Sequence, residues 1–583
     1  MRKISGYILL FFSVLFLAVF CKLEGKKSGN HSMSLKKNPP DTTLFQQALN
    51  EYLATLDSAD QSFYNQIYEP KGMNSFWFSD LNRAAAHIDT LNKVISASSD
   101  HGIRPEYFDI KSVVDYTAVL DFKKPDYAQL AVAEIMLTDV YFKYCRGMKF
   151  GFINPLKLYP KDYFIQIQQP DSAFVNSIFS NPDSLRVYLD HVVPKNKEYI
   201  SLQQEMQKLR LLKDSVFPSI PLLPPGKTIM AGKKHTSVPL VARRLMLTGE
   251  LPYTPKVDSV YRTFNDTLLV ALNKFRTKYN LLIDKEIGNG TLAALNRSFD
   301  SQYWVVAANL ERLRWKPLND ISRKYVHVNV ANMTLQALKG DTLVQTMKVV
   351  VGKPPKNKTP LLYGKMYEVV LNPTWTVPNS IIINEISRRM RSDPSYLGRN
   401  RMKVYRNRME VSEWSVPWDS LSNRYQPYVI VQDSGSNNSL GRLKFNFSNP
   451  HNVYLHDTNN KSAFKLHYRG LSHGCVRVEK PLELAFFCLH DVDSTNSSEV
   501  RENNILQDRI RHSIGLRAKT SEGKTALSKG QGLKKLKRVE LKPGVTVLLD
   551  YHTCFTGKDG DVQFCNDHYK MDSVLVGKLK RLE

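Results

Sequence analysis

The stretch Ser472-His473-Gly474-Cys475-Val476-Arg477 sets one thiol directly after a glycine and close to an imidazole. Upstream, Tyr454-Leu455-His456-Asp457-Thr458 supplies a second imidazole, 19 residues before Cys475. Two adjacent strands joined by a loop bring such groups into contact. A thiol attacks only as thiolate, so it needs a base or a positive field beside it. The pattern points to covalent acyl-transfer chemistry with Cys475 as nucleophile.

Outward from this stretch, the C-terminal half has the texture of strands. Tyr325 to Val330, Thr346 to Val351 and Glu368 to Leu371 alternate apolar and polar residues, with Gly and Pro as punctuation. A mixed, β-rich catalytic domain is expected over 301–583. Its insertion at about 378–433 reads as more helical and is rich in arginine (Arg388, Arg389, Arg391, Arg399, Arg401). The basic tail from Ser513 to Leu541 reads as a loop before a last hairpin. Residues 45–235 are mainly helical by pattern, Tyr127 to Met148 most clearly, and hold no nucleophile-base pair or metal spacing. Pro218, Pro221, Pro224, Pro225 and Gly226 mark a linker. Over 236–300, the runs Val241 to Leu247, Leu268 to Phe275 and Gly290 to Asn296 suit short amphipathic helices.

His456 and Ser-His-Gly-Cys-Val-Arg together resemble the signature of the L,D-transpeptidases, cysteine enzymes that cross-link bacterial peptidoglycan. Asn372 to Pro378, Asp393 to Leu397, Leu440 to Phe445 and Asn449 to Thr458 also resemble segments of the large members. The resemblance runs from about Phe45 to the C-terminus. It implies a multidomain α+β protein: a helical scaffold domain, a small three-helix domain similar to peptidoglycan-binding domains, and the catalytic domain with a helical capping insertion. Phe275, Tyr279, Leu281, Asp284, Ile287 and Gly288 carry the likeness in the small domain, and Lys285 departs from it where the pattern has glycine. A packing module without a ligand is the competing reading there.

The whole chain limits the alternatives. Its 583 residues exceed one ordinary core. Lys+Arg 81 against Asp+Glu 55 gives a net charge of +26, which favours anionic partners. No nucleic-acid recognition motif accompanies that charge, so wall polymer or lipid headgroups fit better. Arg2 and Lys3 before the apolar run Ile4 to Phe20 read as an export segment, residues 1–21, cleaved or retained as an anchor. Cys21 adds lipidation as a third fate, and residues 22–44 read as a flexible tether. For an exported chain, disulfides are permitted. Cys145 and Cys488 sit in core-like runs. Cys554 and Cys565 flank Lys558-Asp559-Gly560-Asp561, and a two-residue Asp-Gly turn places them opposite each other, so a bridge is expected.

The expected roles follow. Cys475 is the nucleophile and His456 the general base, the latter because the resembled family uses the histidine at this position. A backbone carbonyl is expected to fix the His456 tautomer, since Asp457 points to the other strand face. His473 is supporting. The backbone N–H groups of Gly474 and Cys475, helped by the hydroxyl of Tyr454, are expected to bind the oxyanion. Arg477, Ser472, Trp375 and Asn449 are assigned to the substrate-binding side, the last three as its scaffold, and Arg477 either binds a substrate carboxylate, lowers the thiol pKa or holds the loop, with support of the loop the leading reading. The partners are peptidoglycan peptide stems and envelope proteins, with a membrane tether and no nucleic acid. No cofactor and no metal are expected, although His451, His456, His467, His473 and Cys475 were weighed as a metal set. A stem-trimming cysteine carboxypeptidase and a non-catalytic wall-binding adaptor remain the alternatives.

Overall fold

The structure is a computed structural model that describes residues 37–319, 321, 323–528, 535–557 and 559–582. The expected export segment, Cys21 and most of the 22–44 tether lie outside the described residues. The tether's last residues enter the helix Thr42–Leu53, which the Asp41 carboxylate caps by accepting the N–H groups of Thr43 and Leu44.

The N-terminal third packs around the helix Tyr127–Phe150. Asp126 caps its start, and Gly151, at φ +92°, ends it. Its Glu134 is fully buried, accepting from the Tyr68 hydroxyl at 2.9 Å and the Phe76 N–H at 2.7 Å. Cys145 is buried here, as its apolar run implied. The helices Ser237–Leu247, Asp266–Lys278 and Asn289–Leu295 form the small unit with a two-stranded pair, β1 (Ile229–Met230) and β2 (Glu286–Ile287). Buried Arg276 pins its turn through Asp284, and the Lys285 carbonyl accepts the Ala231 N–H. The next helix, Phe299–Arg314, runs through the boundary expected at 300/301. One hydrophobic core continues from Phe45 to Leu579 across all these parts.

The C-terminal half is built from β3 (Lys324–Asn329), β4 (Thr334–Lys339), β5 (Thr342–Gly352) and β6 (Leu362–Leu371), then, after the insertion, β11 (Leu443–Phe447), β12 (Leu455–His456), β13 (Gly470–Ser472), β14 (Val476–Val478) and β15 (Arg538–Asp550). The strand order is β13-β5-β14-β12-β11-β6-β15-β3-β4, and β4 also pairs with β5. That pairing closes eight strands into a barrel, with β13 added at the far end of β5. Alternation follows closure. Val326, Val328, Val349, Val369, Phe445, Leu455, Val476, Val478 and Val547 point inward into the core. The residues between them point outward.

The insertion carries β7 (Trp375–Thr376), β8 (Met402–Arg406), β9 (Met409–Val411) and β10 (Tyr428–Gln432) in one antiparallel sheet, ordered β7-β10-β8-β9. It is therefore less helical than its sequence implied. The alternating Tyr428-Val429-Ile430-Val431 and Met402-Lys403-Val404-Tyr405 runs explain this, because β-branched and aromatic residues favour the pleated surface. Its core, including Ile382, Ile386, Met390, Val404 and Ile430, is separate from that of the barrel. The tail expected as a loop holds a helix, Ser521–Ser528.

The bridge between Cys554 and Cys565 is not made; both thiols are free. The hairpin of β16 (Cys554–Thr556) and β17 (Val562–Phe564) pairs Thr556 with Val562, and so Cys554 with Phe564. The loop closes from the Gly557 N–H to the Asp561 carbonyl rather than as a two-residue Asp-Gly turn. A one-residue slip in register turns a side chain to the other face. Lys558 lies outside the described residues.

Candidate active site

Short parallel pairing of β12 with β14 sets the site. Leu455 opposes Val476 and His456 opposes Arg477, and the Val476 N–H donates to the Tyr454 carbonyl. Leu455 and Val476 point into the barrel, so Tyr454, His456, Cys475 and Arg477 share its outer face. On the far side of β12, Lys444 of β11 opposes His456. Lys444, His456 and Arg477 thus form one row across three strands, with Cys475 and Tyr454 one step along it. Val350, opposite Arg477 on β5, packs with Ala463 and Phe464 as a small apolar floor.

His456 is buried, and its Nδ1 bonds the Asp457 carbonyl. With Nδ1–H donating, Nε2 carries the lone pair. Burial first, then the Arg477 guanidinium, with Lys444 adding to them, pushes this imidazole down to about 3 against the pull of that carbonyl. It is a neutral acceptor at neutral pH. The Asp457 side chain turns away, as the strand alternation required. Its carboxylate accepts the N–H groups of Thr458 (2.7 Å) and Arg442 (2.9 Å) and pairs with Lys461. It also packs on Gly441, where a Cβ would come within 2.3 Å of Asp457 Cγ.

Cys475 is half-buried. Burial raises its thiol above the ordinary value, opposed by the Tyr454 backbone N–H and hydroxyl, Lys444 and Arg477. Its Sγ donates to the Asn452 carbonyl at 3.9 Å. At neutral pH the thiol and the imidazole, which share this outer face, are both uncharged. The Tyr454 hydroxyl faces the sulfur and the Trp375 indole, which reaches the site from the edge of the insertion.

Other expected residues have different duties. The Gly474 N–H, assigned to the oxyanion, donates to Ser472 Oγ at 3.2 Å. Gly474 adopts φ +119°, which few side-chain-bearing residues tolerate, and this turns the amide into the loop. Ser472 Oγ donates to the Cys475 carbonyl at 2.6 Å, so its polar capacity is taken by the loop rather than by substrate. Asn449 is likewise engaged with its own turn, bonding Phe447 and Val453 carbonyls and the His451 and Val453 N–H groups. It shapes the approach to β12 and offers nothing to a ligand. His473 bonds Glu385 of the insertion through Nε2, tying the catalytic loop to the cap.

Sequence reading passed over three contributors. Lys444 is marked only by the alternation of Leu443-Lys444-Phe445, which puts a lone cation on the outer face. Thr359 holds the catalytic loop from behind: its Oγ1 donates to the Gly474 carbonyl at 2.8 Å and accepts the Gly352 N–H at 2.9 Å. Tyr569, near the C-terminus, bonds the Thr359 N–H and the Gly352 carbonyl. The N-terminal third also reaches the site. Phe164 packs on the His451 ring at 4.0 Å between centroids, one residue from Asn452. Asp162 pairs with Lys358 at 2.9 Å.

The histidines weighed as a metal set separate: His451 meets Phe164, His456 the Asp457 carbonyl, His467 the Asn280 carbonyl and His473 Glu385. Among the described residues no group of three or more His, Cys, Asp or Glu side chains converges. Among them, too, no helix is long and apolar enough to cross a membrane.

Comparison with known proteins agrees with the sequence resemblance. The family model of the YkuD L,D-transpeptidase catalytic domain matches residues 323–501, and that of the Scaffold domain matches residues 62–206. A curated relative, a putative L,D-transpeptidase of Haemophilus influenzae, is 34% identical over 214 residues. That match covers 36% of this chain, which spans only 42% of the relative. Among solved structures, an L,D-transpeptidase fragment from Xylanimonas cellulosilytica is 14% identical, covering 57% of this chain and 100% of that one, with a TM-score of 0.15. An avibactam carbamoyl enzyme of Ldtfm is 10% identical, covering 50% and 95%, with a TM-score of 0.17.

Proposed function

We propose that the protein is a peptidoglycan L,D-transpeptidase of the bacterial envelope. The observation that carries this reading is the placement of Cys475, His456, Tyr454 and Arg477 on one outer face of β12 and β14, inside the segment that matches the catalytic-domain model. The Cys475 thiol gives its proton to His456 Nε2 as Sγ attacks the carbonyl of the third stem residue. The new S–C bond forms, the C–N bond breaks, and the imidazolium returns the proton to the departing D-alanine amine. A side-chain amine of a neighbouring stem then attacks the thioester, its proton leaves through His456, and the S–C bond breaks to free the thiol. Splitting one hard displacement into two is the gain of the covalent route. With the Gly474 N–H engaged, the oxyanion falls to the Cys475 N–H and the Tyr454 hydroxyl. This chemistry uses no cofactor.

The same reading assigns the 1–21 segment to export, with the 22–44 tether placing the enzyme near a membrane and among other envelope proteins. It assigns wall binding to the small helical unit, and it makes Cys475 the acylation site for carbapenem-type β-lactams. Two measurements test it. Intact mass after carbapenem treatment gains one drug on the parent and none on Cys475→Ser. A tetrapeptide stem with a free amine acceptor yields the cross-linked dimer; trimmed stem alone means a hydrolase, and no turnover removes the enzymatic reading.

A further inference from the structure

Among the described residues, two cations on the outer face that carries the nucleophile, Lys444 and Arg477, have no salt-bridge partner within 4.0 Å. Lys444 lies opposite His456, which lies opposite Arg477, so all three share the outer face with Cys475. Neighbouring strands sit about 4.8 Å apart, which puts the Lys444 backbone two strand spacings from β14. The ammonium rests over the Tyr454 ring, 4.1 Å from its centroid. The hydroxyl of that ring faces the sulfur.

Among the described residues Lys444 makes no ion pair within 4.0 Å. Besides Cys475, the acidic group that acts on Lys444 is Glu368, whose carboxylate accepts the Asn446 side-chain amide at 2.7 Å and faces Arg538 at 3.4 Å. Across the row, Arg477 has a buried Nε with no hydrogen-bond partner. A partly buried cation without an anion is unfavourable, and the contact with Tyr454 offsets only part of that. An anion arriving with substrate relieves the rest.

We infer that Lys444 reads the free carboxylate flanking the scissile amide of the donor stem. The inference rests on the transpeptidase reading for the identity of that carboxylate. A leaving D-amino acid carries its carboxylate two bonds from the amide nitrogen, close to the attacked carbonyl. One further residue on the stem moves the carboxylate outward by about 3.3–3.6 Å. The row therefore selects donors that end immediately after the scissile bond and disfavours longer ones. Lys444 is here a specificity-determining residue; Arg477, one spacing from Cys475, sits between that task and the field on the thiol.

The test uses two alkylating reagents of equal size on the full chain. Iodoacetate places a carboxylate beside the reacting carbon, and iodoacetamide is its neutral counterpart. On the parent, iodoacetate is favoured relative to its ratio with a free thiol. Lys444→Met lowers that ratio about tenfold, the scale of a hydrogen bond to a charged group, and Lys444→Arg restores it. Equal slowing with both reagents means that Lys444 serves thiol ionisation, and unchanged rates with both mean that it does neither; each overturns the inference. A tetrapeptide donor and its C-terminal amide form the second arm, where Lys444→Met erases the preference for the acid through KM. Failure of every stem to react sinks the transpeptidase reading, while the reagent ratio still decides the role of Lys444.

Discussion

His456 and His327 occupy outward-facing positions of the same barrel, yet the protein drives them in opposite directions. His456, beside two cations and a backbone carbonyl, is pushed down to about 3. His327 meets a carboxylate instead: its Nε2 lies 2.7 Å from Asp550, which also bonds His552 at 2.9 Å. Burial would lower His327 as well, but the Asp550 charge and hydrogen bond carry it up to about 9. Burial alone does not decide the state of an imidazole; the sign of its neighbour does. One ring is kept neutral by the cations beside it, and the other is held as a cation that ties β3 to β15.

The largest way to break this comparison is to remove the neutral ring. His456→Gln lowers turnover of a donor stem about 10²–10⁴-fold, the usual contribution of a positioned base, with the fold unchanged by circular dichroism. A loss below tenfold places the base elsewhere.

Stability against pH separates the two rings by sign. His327 is raised above its unfolded value of about 6.5, so its contribution is complete below that value and is lost as pH rises through about 9. Denaturant unfolding loses roughly 3 kcal/mol across that window, and His327→Gln flattens the alkaline slope. His456 is lowered, so the unfolded chain binds the extra proton and stability falls as pH drops below about 6.5. His456→Gln flattens that acidic slope and leaves the alkaline one.

Removing the carboxylate sharpens the contrast at smaller scale. Asp550→Asn destabilises by roughly 2–3 kcal/mol at pH 7, at the low side for a buried pair because both groups keep some solvent contact. The cationic ring then loses its partner, and the alkaline slope disappears with it. The smallest effect expected is at Thr359→Val, which strips the Gly474 carbonyl of its donor. Alkylation of Cys475 by iodoacetamide slows roughly threefold to tenfold, the scale of one neutral hydrogen bond, and Thr359→Ser recovers the rate.

Much of the candidate pair was legible because its chemistry is written locally. Cys475 follows a glycine, His456 sits on a recognisable strand, and the alternation that turns Asp457 away leaves its backbone carbonyl for the imidazole. Lys444 was not legible, because its meaning depends on facing His456 across two strands 12 residues apart in sequence. The same holds for Thr359 and Glu385, which reach the catalytic loop from distant segments. Asp559-Gly560 misled for a related reason. The dipeptide favours a two-residue turn, but the wider closure between Gly557 and Asp561 sets the register, and one residue of slip separates Cys554 from Cys565. Strands in the insertion were outweighed by its arginine-rich helical stretch, though their β-branched alternation was present.

The contact of Phe164 with His451 carries one more consequence. The turn holding Asn452, whose carbonyl receives the Cys475 thiol, leans on a ring contributed from nearly three hundred residues earlier in the chain. A protease cut or truncation that frees the barrel from its N-terminal partner takes away the ring on which that turn packs.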